Sequence, residues 1–270
     1  MKKLSYILPL LLMVLTGCQF KFSSDDEVNA SSLVKIERYD RLEYRYLTTG
    51  DFSALQQMNT EYPVETRTLM EDVVKIGSAT EPDINTKFLK FYQDTILQSL
   101  ITAVEAEYAN MDDLNRQLNV VFAKLKHTLP DVETPRVYAQ ISALDQSIVV
   151  GTGIIGISLD KYLGENYPLY KKFYSPQQRS QMSREYIVSD CLTFYLMSLY
   201  PMDKFEARPQ KERDLYMGKI QWVVNQTMGR KVFDNGYVDA VASYMRHGSG
   251  ITYEELLRLT DFTEFKVRGE

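Results

Sequence analysis

A short segment of this chain has the outline of a metalloprotease helix. Zinc hydrolases of the H-E-x-x-H type place two imidazoles one helical turn apart, and the intervening glutamate polarises the metal-bound water. In residues 183–188 the glutamate is present as Glu185, whereas Arg184 and Val188 occupy the positions of the two histidines. An arginine does not deprotonate to bind a cation, and a valine has no lone pair. The segment therefore indicates either a zinc-protease helix that has lost its metal ligands or an ordinary amphipathic helix with Arg184 and Glu185 in solvent.

Other residues that could support catalysis have structural interpretations. The two histidines, His127 and His247, each end a separate predicted helix, where an imidazole interacts favourably with the helix dipole. The G-x-G-x-x-G spacing at 151–156 is followed by a strand pattern and not by the helix that a dinucleotide site requires. We interpret it as the glycines of a strand turn. Cys191 lies among apolar residues at helical spacing, which predicts a buried, unreactive thiol. We therefore predict no catalytic residue, no metal and no cofactor.

The first residues of the chain have the pattern of a bacterial lipoprotein signal. Lys2 and Lys3 precede an apolar run over 4–15, and the sequence Leu-Thr-Gly-Cys then ends at Cys18. An apolar run of this length is too short to span a hydrocarbon core of roughly 30 Å. The pattern predicts a signal peptide at 1–17, which is removed, and a mature protein that begins at an acylated Cys18. Acyl chains contribute about 0.8 kcal/mol for each buried CH₂, so two or three of them hold the protein firmly in a membrane.

The charge of the chain excludes some classes of partner. Lys and Arg number 31 against 36 Asp and Glu, which gives a formal net charge of −5. Binding to nucleic acid depends on a basic face that attracts phosphates, so we expect no nucleic-acid partner. The same balance disfavours a polybasic contact with anionic lipid, and the expected membrane attachment is therefore the N-terminal lipid alone.

Patterning divides the mature chain into a tether and one domain. Residues 18–32 are short, polar and acidic, and they read as a tether between the bilayer and the domain at 33–270. Apolar residues recur at helical intervals over 33–130 and again over 176–260, whereas short β-branched runs lie within 136–160. We predict an α+β fold that is predominantly helical, with a small central antiparallel or mixed sheet whose two or three strands form a meander.

Several motifs resemble one family. The sequence Ile-Ser-Leu-Asp-Lys-Tyr-Leu-Gly at 157–164, followed by Tyr-Pro at 167–168, resembles the gliding-motility lipoprotein GldB family of the Bacteroidota. An I-x-R-x-D element at 36–40, a V-Y-x-x-I-S strand at 137–142 and an I-V-x-D helix core at 187–190 occur in the family's order. The resemblance extends over most of the mature chain and is weakest in the part that follows residue 229.

The resemblance implies a scaffold and a cleft. Because that family is similar to predicted zinc proteases with a gluzincin-like domain, it implies a zincin-like scaffold without metal ligands. In such a scaffold a strand edge lies beside the active-site helix. Asp160 and Tyr162 would then border one cleft, or partner-binding surface, together with Arg184, Glu185 and Tyr186. Arg184 would pair with Asp160 or Glu185 and fill the space of the lost metal.

These observations lead to one functional hypothesis with two alternatives. In gliding bacteria the family supports a cell-surface motility machine, so we expect a lipid-anchored protein of the cell envelope, at the outer membrane, on a face that the sequence leaves open. It would act without catalysis, as a binding or assembly component with an envelope protein as its partner. The first alternative is an envelope hydrolase with an unrecognised site. The second is a surface lipoprotein that captures a ligand on a tyrosine-rich face.

The lipoprotein hypothesis predicts the behaviour of a Cys18→Ser variant. The variant should lack lipid and leave the membrane fraction, because the thiol that takes the acyl groups is gone. Mass spectrometry and membrane fractionation measure both effects. Cys191→Ser, which keeps the signal intact, should remain lipidated and membrane-bound. A Cys18→Ser protein that still fractionates with membranes after normal processing would contradict the hypothesis.

Overall fold

Helices precede and follow a three-stranded sheet in the computed structural model, which describes residues 33–247 and 250–267. The helices before the sheet are α1 (Tyr39–Thr49), α2 (Phe52–Glu61), α3 (Pro63–Thr68), α4 (Ile84–Tyr92), α5 (Thr95–Glu107) and α6 (Asp112–Thr128). The strands are β1 (Arg136–Gln140), β2 (Ile148–Gly151) and β3 (Ile154–Ser158). The helices after the sheet are α7 (Tyr170–Phe173), α8 (Pro176–Arg179), α9 (Ile187–Leu199), α10 (Gln210–Met228), α11 (Gly236–His247) and α12 (Tyr253–Arg258). The predicted helical α+β fold is confirmed.

Some of the sequence predictions concern residues that lie outside the described part of the chain. Cys18, the signal peptide at 1–17 and the tether at 18–32 all lie before the first described residue. Among the helices of the described part of the chain, none is long and apolar enough to cross a membrane.

Local sequence signals explain where several helices begin and end. The carboxylate of Asp51 accepts the backbone N–H of Ser53 at 2.8 Å and so caps the start of α2, and Asp94 caps α5 in the same way. α1 and α10 both end at a glycine in the left-handed conformation. In α6 the predicted apolar face is buried as a stripe of side chains, namely Leu114, Leu118, Val121, Phe122 and Leu125.

The segment before α1 is extended, although the sequence predicted helix from residue 33. Ile36 donates its backbone N–H to the amide oxygen of Asn115 at 2.8 Å, and Val34 donates to Asn119 at 2.7 Å. Glu37 forms a parallel bridge with Tyr138 at the edge of β1. These long-range partners satisfy the backbone of the segment, so it does not need the hydrogen bonds of a helix.

The sheet is mixed, and its strand order is β1-β3-β2. β1 pairs with β3 in parallel, and β2 pairs with β3 as an antiparallel hairpin. The predicted meander is therefore wrong, because β1 and β2 are not neighbours. The link between them contains Ala143 and Leu144, whose φ angles are 54° and 67°. It does not turn back along β1, because hydrogen bonds to Asp160, just after β3, hold its backbone there. The strand region also ends at Ser158, where a 3₁₀ turn (Leu159–Lys161) begins.

Two glycines of the β2–β3 hairpin occupy positions at which a side chain would be strained or would clash. Gly153, between β2 and β3, has a φ of 68°, a conformation that side chains disfavour. Gly156 lies opposite Tyr138, and a Cβ on Gly156 would stand 2.5 Å from the Tyr138 hydroxyl oxygen. The interpretation of 151–156 as the glycines of a strand turn is confirmed.

α9 is the central helix of the second half of the chain. It packs on β2 and β3 and also contacts α6 and α10. Cys191 on this helix is fully buried, and burial raises the pKa of its thiol far above the usual range. The predicted burial of Cys191 is therefore confirmed. The first turn of α9 follows directly on the segment that the sequence singled out for chemistry.

Candidate functional site

A surface groove lies between the segment after β3 and the segment before α9. Its volume is about 720 Å³. The two walls are joined by an isolated bridge between Leu163 and Ser183, and Gly164 donates its backbone N–H to the carbonyl of Met182 at 2.9 Å. We name it the 163–186 groove after its lining residues, which are Leu163, Gly164, Glu165, Asn166, Tyr167, Ser180, Ser183, Glu185 and Tyr186.

The groove is lined by acidic, amide and aromatic side chains. Glu165, Asn166 and Glu185 are exposed to solvent, and Tyr167 and Tyr186 are half-buried. Of the five residues that the sequence predicted at a cleft, Glu185 and Tyr186 are thus in the groove. This composition provides hydrogen-bond acceptors and two flat apolar surfaces at a solvent-accessible site.

Tyr162 lies in the buried layer next to the groove and does not line it. Its hydroxyl donates to the Asp190 carboxylate at 2.7 Å, and its carbonyl accepts the hydroxyl of Tyr108 at 2.6 Å. Leu163, the first residue of the groove wall, donates its backbone N–H to the hydroxyl oxygen of Tyr170 at 3.0 Å. Tyr162 therefore positions the wall through its neighbours.

Asp160 is fully buried and has a structural role, which corrects its predicted place at the cleft. Its carboxylate accepts the backbone N–H groups of Ser142 at 2.8 Å and Leu144 at 2.6 Å. Burial raises the pKa of this carboxyl, and the two backbone hydrogen bonds oppose that effect. Asp160 is directed toward the link after β1, because the 3₁₀ turn that follows β3 places it there.

Arg184 pairs with Asp113, not with Asp160 or Glu185 as the sequence analysis expected. Its Nε and Nη2 donate to the two carboxylate oxygens of Asp113 at 3.0 and 2.6 Å, a bidentate arrangement. The guanidinium also lies 4.9 Å above the ring of Tyr108. The hydrogen bonds to Asp113 raise the pKa of Arg184, and they lower the pKa of Asp113.

The local backbone explains the different directions of Arg184 and Glu185. Both belong to a 3₁₀ turn (Arg184–Tyr186) that precedes α9, and successive residues of such a turn point about 120° apart. Arg184 consequently faces the first turn of α6, whereas Glu185 faces the groove. Sequence reasoning missed Asp113 as a partner because 71 residues separate it from Arg184.

The backbone at 184–188 also differs from that of the metalloprotease helix with which the sequence was compared. α9 begins at Ile187, so Arg184 precedes the helix, and Val188 is buried inside it. The two positions therefore do not form the helical pair that a zinc site requires. His127 and His247 lie in the last turns of α6 and α11, as predicted. Across residues 33–247 and 250–267, no group of three or more His, Cys, Asp or Glu side chains is placed to hold a metal ion. The zincin-like scaffold stays a prediction.

Asp190 is a titratable residue that the sequence analysis did not single out as a site. It lies in the first turn of α9, within the I-V-x-D motif. Burial raises the pKa of its carboxyl to about 7, and the hydrogen bond from Tyr162 acts in the opposite direction. A carboxyl that ionises near neutrality can transfer protons, but Asp190 does not line the 163–186 groove.

A comparison with protein families found one match. The family model described as "Gliding motility protein GldB" matches residues 22–233. The searches against curated proteins and against solved structures found no match. The matched span includes the whole sheet and every residue that lines the groove.

The bidentate pair predicts the stability of an Arg184→Ala variant. Its free energy of unfolding should fall because the charge-assisted hydrogen bonds to Asp113 are lost. We expect a decrease of only about 1 to 2 kcal/mol, since Asp113 is partly exposed and water can solvate its carboxylate in the variant. Urea unfolding measures the change. Glu185→Ala, which removes an exposed neighbour, is the matched control and should change stability by about 0.5 kcal/mol or less. Equal effects of the two substitutions would show that the pair is not stabilising.

Asp190 predicts a pH dependence of stability. The pKa of its carboxyl is about 7 in the folded protein and roughly 3.9 in the unfolded chain. Its contribution to the free energy of unfolding is therefore fully present below about pH 4 and is lost as pH rises through 7. Between pH 5 and pH 8 the unmodified protein should lose roughly 2 kcal/mol more stability than Asp190→Asn, which does not titrate. Asp145→Asn removes an exposed acid and should follow the unmodified protein. Parallel pH profiles for all three proteins would show that Asp190 has an ordinary pKa.

Proposed function

Because the chain belongs to the gliding motility protein GldB family, we propose that it is a lipid-anchored component of the cell envelope that binds a protein partner through the 163–186 groove, without catalysis. The family match supports an association with gliding motility, and the lipoprotein label of the family model supports the anchor at Cys18. The placement at the outer membrane and the partner's place in the envelope follow from the same resemblance.

The observation that carries this proposal is the composition of the groove. Glu165 and Glu185 offer exposed carboxylates, and Tyr167 and Tyr186 offer aromatic surface beside them. Tyrosine is enriched in protein interfaces, and rim charges select partners of opposite charge. The partner surface that fits this groove therefore carries Lys or Arg side chains around an apolar centre.

The hydroxyls of the groove support binding over nucleophilic catalysis. Ser180 donates its hydroxyl to the carbonyl of Gln177 at 2.8 Å, and the Ser183 hydroxyl lies 3.5 Å from the Glu185 carboxylate. An activated serine needs a base within hydrogen-bond reach that is itself oriented by a third group. The lining of the groove includes no histidine to fill that role.

The contacts that connect the walls of the groove also support recognition. The bridge between Leu163 and Ser183 fixes the spacing of the walls, and Arg184 ties the second wall to α6. A site that is already formed loses less conformational entropy on binding. The alternative of ligand capture on a tyrosine-rich face is disfavoured, because ten of the chain's 19 tyrosines are buried within the described residues.

Site-specific photocrosslinking in the producing cells tests the proposal. A photoreactive amino acid at position 186, in the lipid-anchored full chain, should give a defined adduct with one envelope protein. The same amino acid at position 120, where Val120 is exposed on α6, should not give it. Charge reversal of the groove by Glu165→Lys with Glu185→Lys should abolish the adduct and leave the melting temperature unchanged.

The matched control reverses two exposed acids outside the groove, Glu61→Lys with Asp72→Lys, and should keep the adduct. An adduct that forms equally from position 120, or that survives reversal of the groove, would contradict the proposal. Stoichiometric, chelator-sensitive zinc in the purified protein would favour the envelope hydrolase instead.

A further inference from the structure

A second cavity lies at the junction of α9, α10 and α12, away from the 163–186 groove. Its volume is about 230 Å³. Most of its wall is apolar, with side chains that include Leu199, Met202, Leu257 and Phe262. One charged residue from the middle of α10, Lys219, also lines it.

Lys219 is buried, and its ammonium is held by backbone carbonyls. It is 1% exposed, and its ammonium donates to the carbonyls of Leu257 at 3.2 Å and Leu259 at 2.5 Å. The ring of Phe262 lies 5.0 Å from the same nitrogen. Within residues 33–247 and 250–267, no carboxylate forms an ion pair with it, and burial alone lowers its pKa to about 8. An ammonium has three N–H donors, of which these carbonyls accept two.

Capping the end of α12 does not by itself explain a buried ammonium. A lysine at the surface can hydrogen-bond the last carbonyls of a helix without leaving water. A buried charge without a counter-ion costs stability, and an apolar side chain of similar volume is often the more stable choice at such a position. A structural role alone therefore does not account for Lys219, whereas a role in binding a ligand does.

The rest of the lining adds two arginines and one acid, Arg208, Arg258 and Asp203. Each arginine has a carboxylate partner, because Arg208 pairs with Glu212 at 3.3 Å and Arg258 pairs with Glu254 at 2.9 Å. Within the described residues, the cation of the lining that has no carboxylate partner is therefore Lys219. The cavity is thus locally cationic in a chain whose formal net charge is −5. Low-dielectric walls strengthen the attraction of such a site for an anion.

We propose that this cavity binds a small organic monocarboxylate, with its carboxylate on Lys219 and its apolar body against Leu257 and Phe262. The volume of 230 Å³ corresponds to roughly seven or eight water molecules, which limits the ligand to a short chain or a single ring. The carboxylate takes the third donor of the ammonium and supplies the missing counter-charge. This site shares no lining residue with the groove and is independent of the proposed function.

Titration calorimetry on the purified full-length mature chain at pH 7 tests the proposal with 3-phenylpropionate as the probe. We expect one site per chain, at least tenfold weaker binding of the neutral isostere 3-phenylpropanamide, and no competition from inorganic phosphate at equal concentration. Lys219→Met should weaken the carboxylate at least tenfold. Lys35→Met, which removes an exposed lysine elsewhere, should leave its affinity unchanged.

A pH series on the unmodified protein gives an independent measurement in case Lys219→Met does not fold. The affinity for 3-phenylpropionate should fall more than tenfold between pH 7 and pH 10, because deprotonation removes the charge of the ammonium. The other charged or titratable groups facing the cavity are Tyr200, Asp203 and Arg208 between α9 and α10, Tyr216 on α10 and Arg258 on α12. Burial raises the pKa of both tyrosines, and the arginines stay protonated in this range.

Four results would overturn the proposal. They are the lack of any binding of 3-phenylpropionate at millimolar concentration, equal binding of the amide, displacement by phosphate, and an affinity that Lys219→Met or the rise in pH does not change.

Discussion

The backbone that leaves β1 is buried, and the need to satisfy its polar groups shapes much of this molecule. Ile141 and Ser142 are almost completely inaccessible to water. A buried N–H or C=O without a partner costs about as much as a lost hydrogen bond. Three side chains from distant parts of the chain meet this need. Glu43 on α1 accepts the N–H of Ile141, Tyr92 on α4 donates to its carbonyl, and Asp160 accepts the N–H of Ser142. The end of the strand thereby fixes α1, α4 and the turn after β3 around one point.

The same constraint gives the tyrosines their role. Tyr108 donates its hydroxyl to the carbonyl of Tyr162, Tyr195 donates to that of Glu133, and Tyr170 donates to that of Asp160. Each ring fills apolar space while its hydroxyl reaches a carbonyl outside regular secondary structure. A composition rich in tyrosine therefore reflects how the core satisfies irregular backbone. The first wall of the groove is connected to this system, because Tyr170 also accepts the backbone N–H of Leu163.

Sequence patterns predicted the features that depend on residues close together in the chain. The apolar face of α6, the hairpin glycines and the buried Cys191 all follow from spacings within a single element. Features that depend on distant partners were not accessible in this way. The extended segment at 33–38 depends on Asn115 and Asn119, and the direction of Arg184 depends on Asp113. The link after β1 is likewise held by buried hydrogen bonds to Asp160, which no local spacing encodes.

The two sites differ in charge, in exposure and in their relation to the family match. The groove is acidic and open, and it lies entirely within the span matched by the family model. The cavity is cationic and more recessed than the groove, and it needs Leu257 and Phe262, which lie beyond residue 233. Lys219 itself is inside the matched span, but its carbonyl acceptors and the ring of Phe262 come from α12 and the residues that follow it. The groove therefore lies wholly within the part of the chain that the family model matches, whereas the proposed carboxylate site also requires a part that the family model does not match.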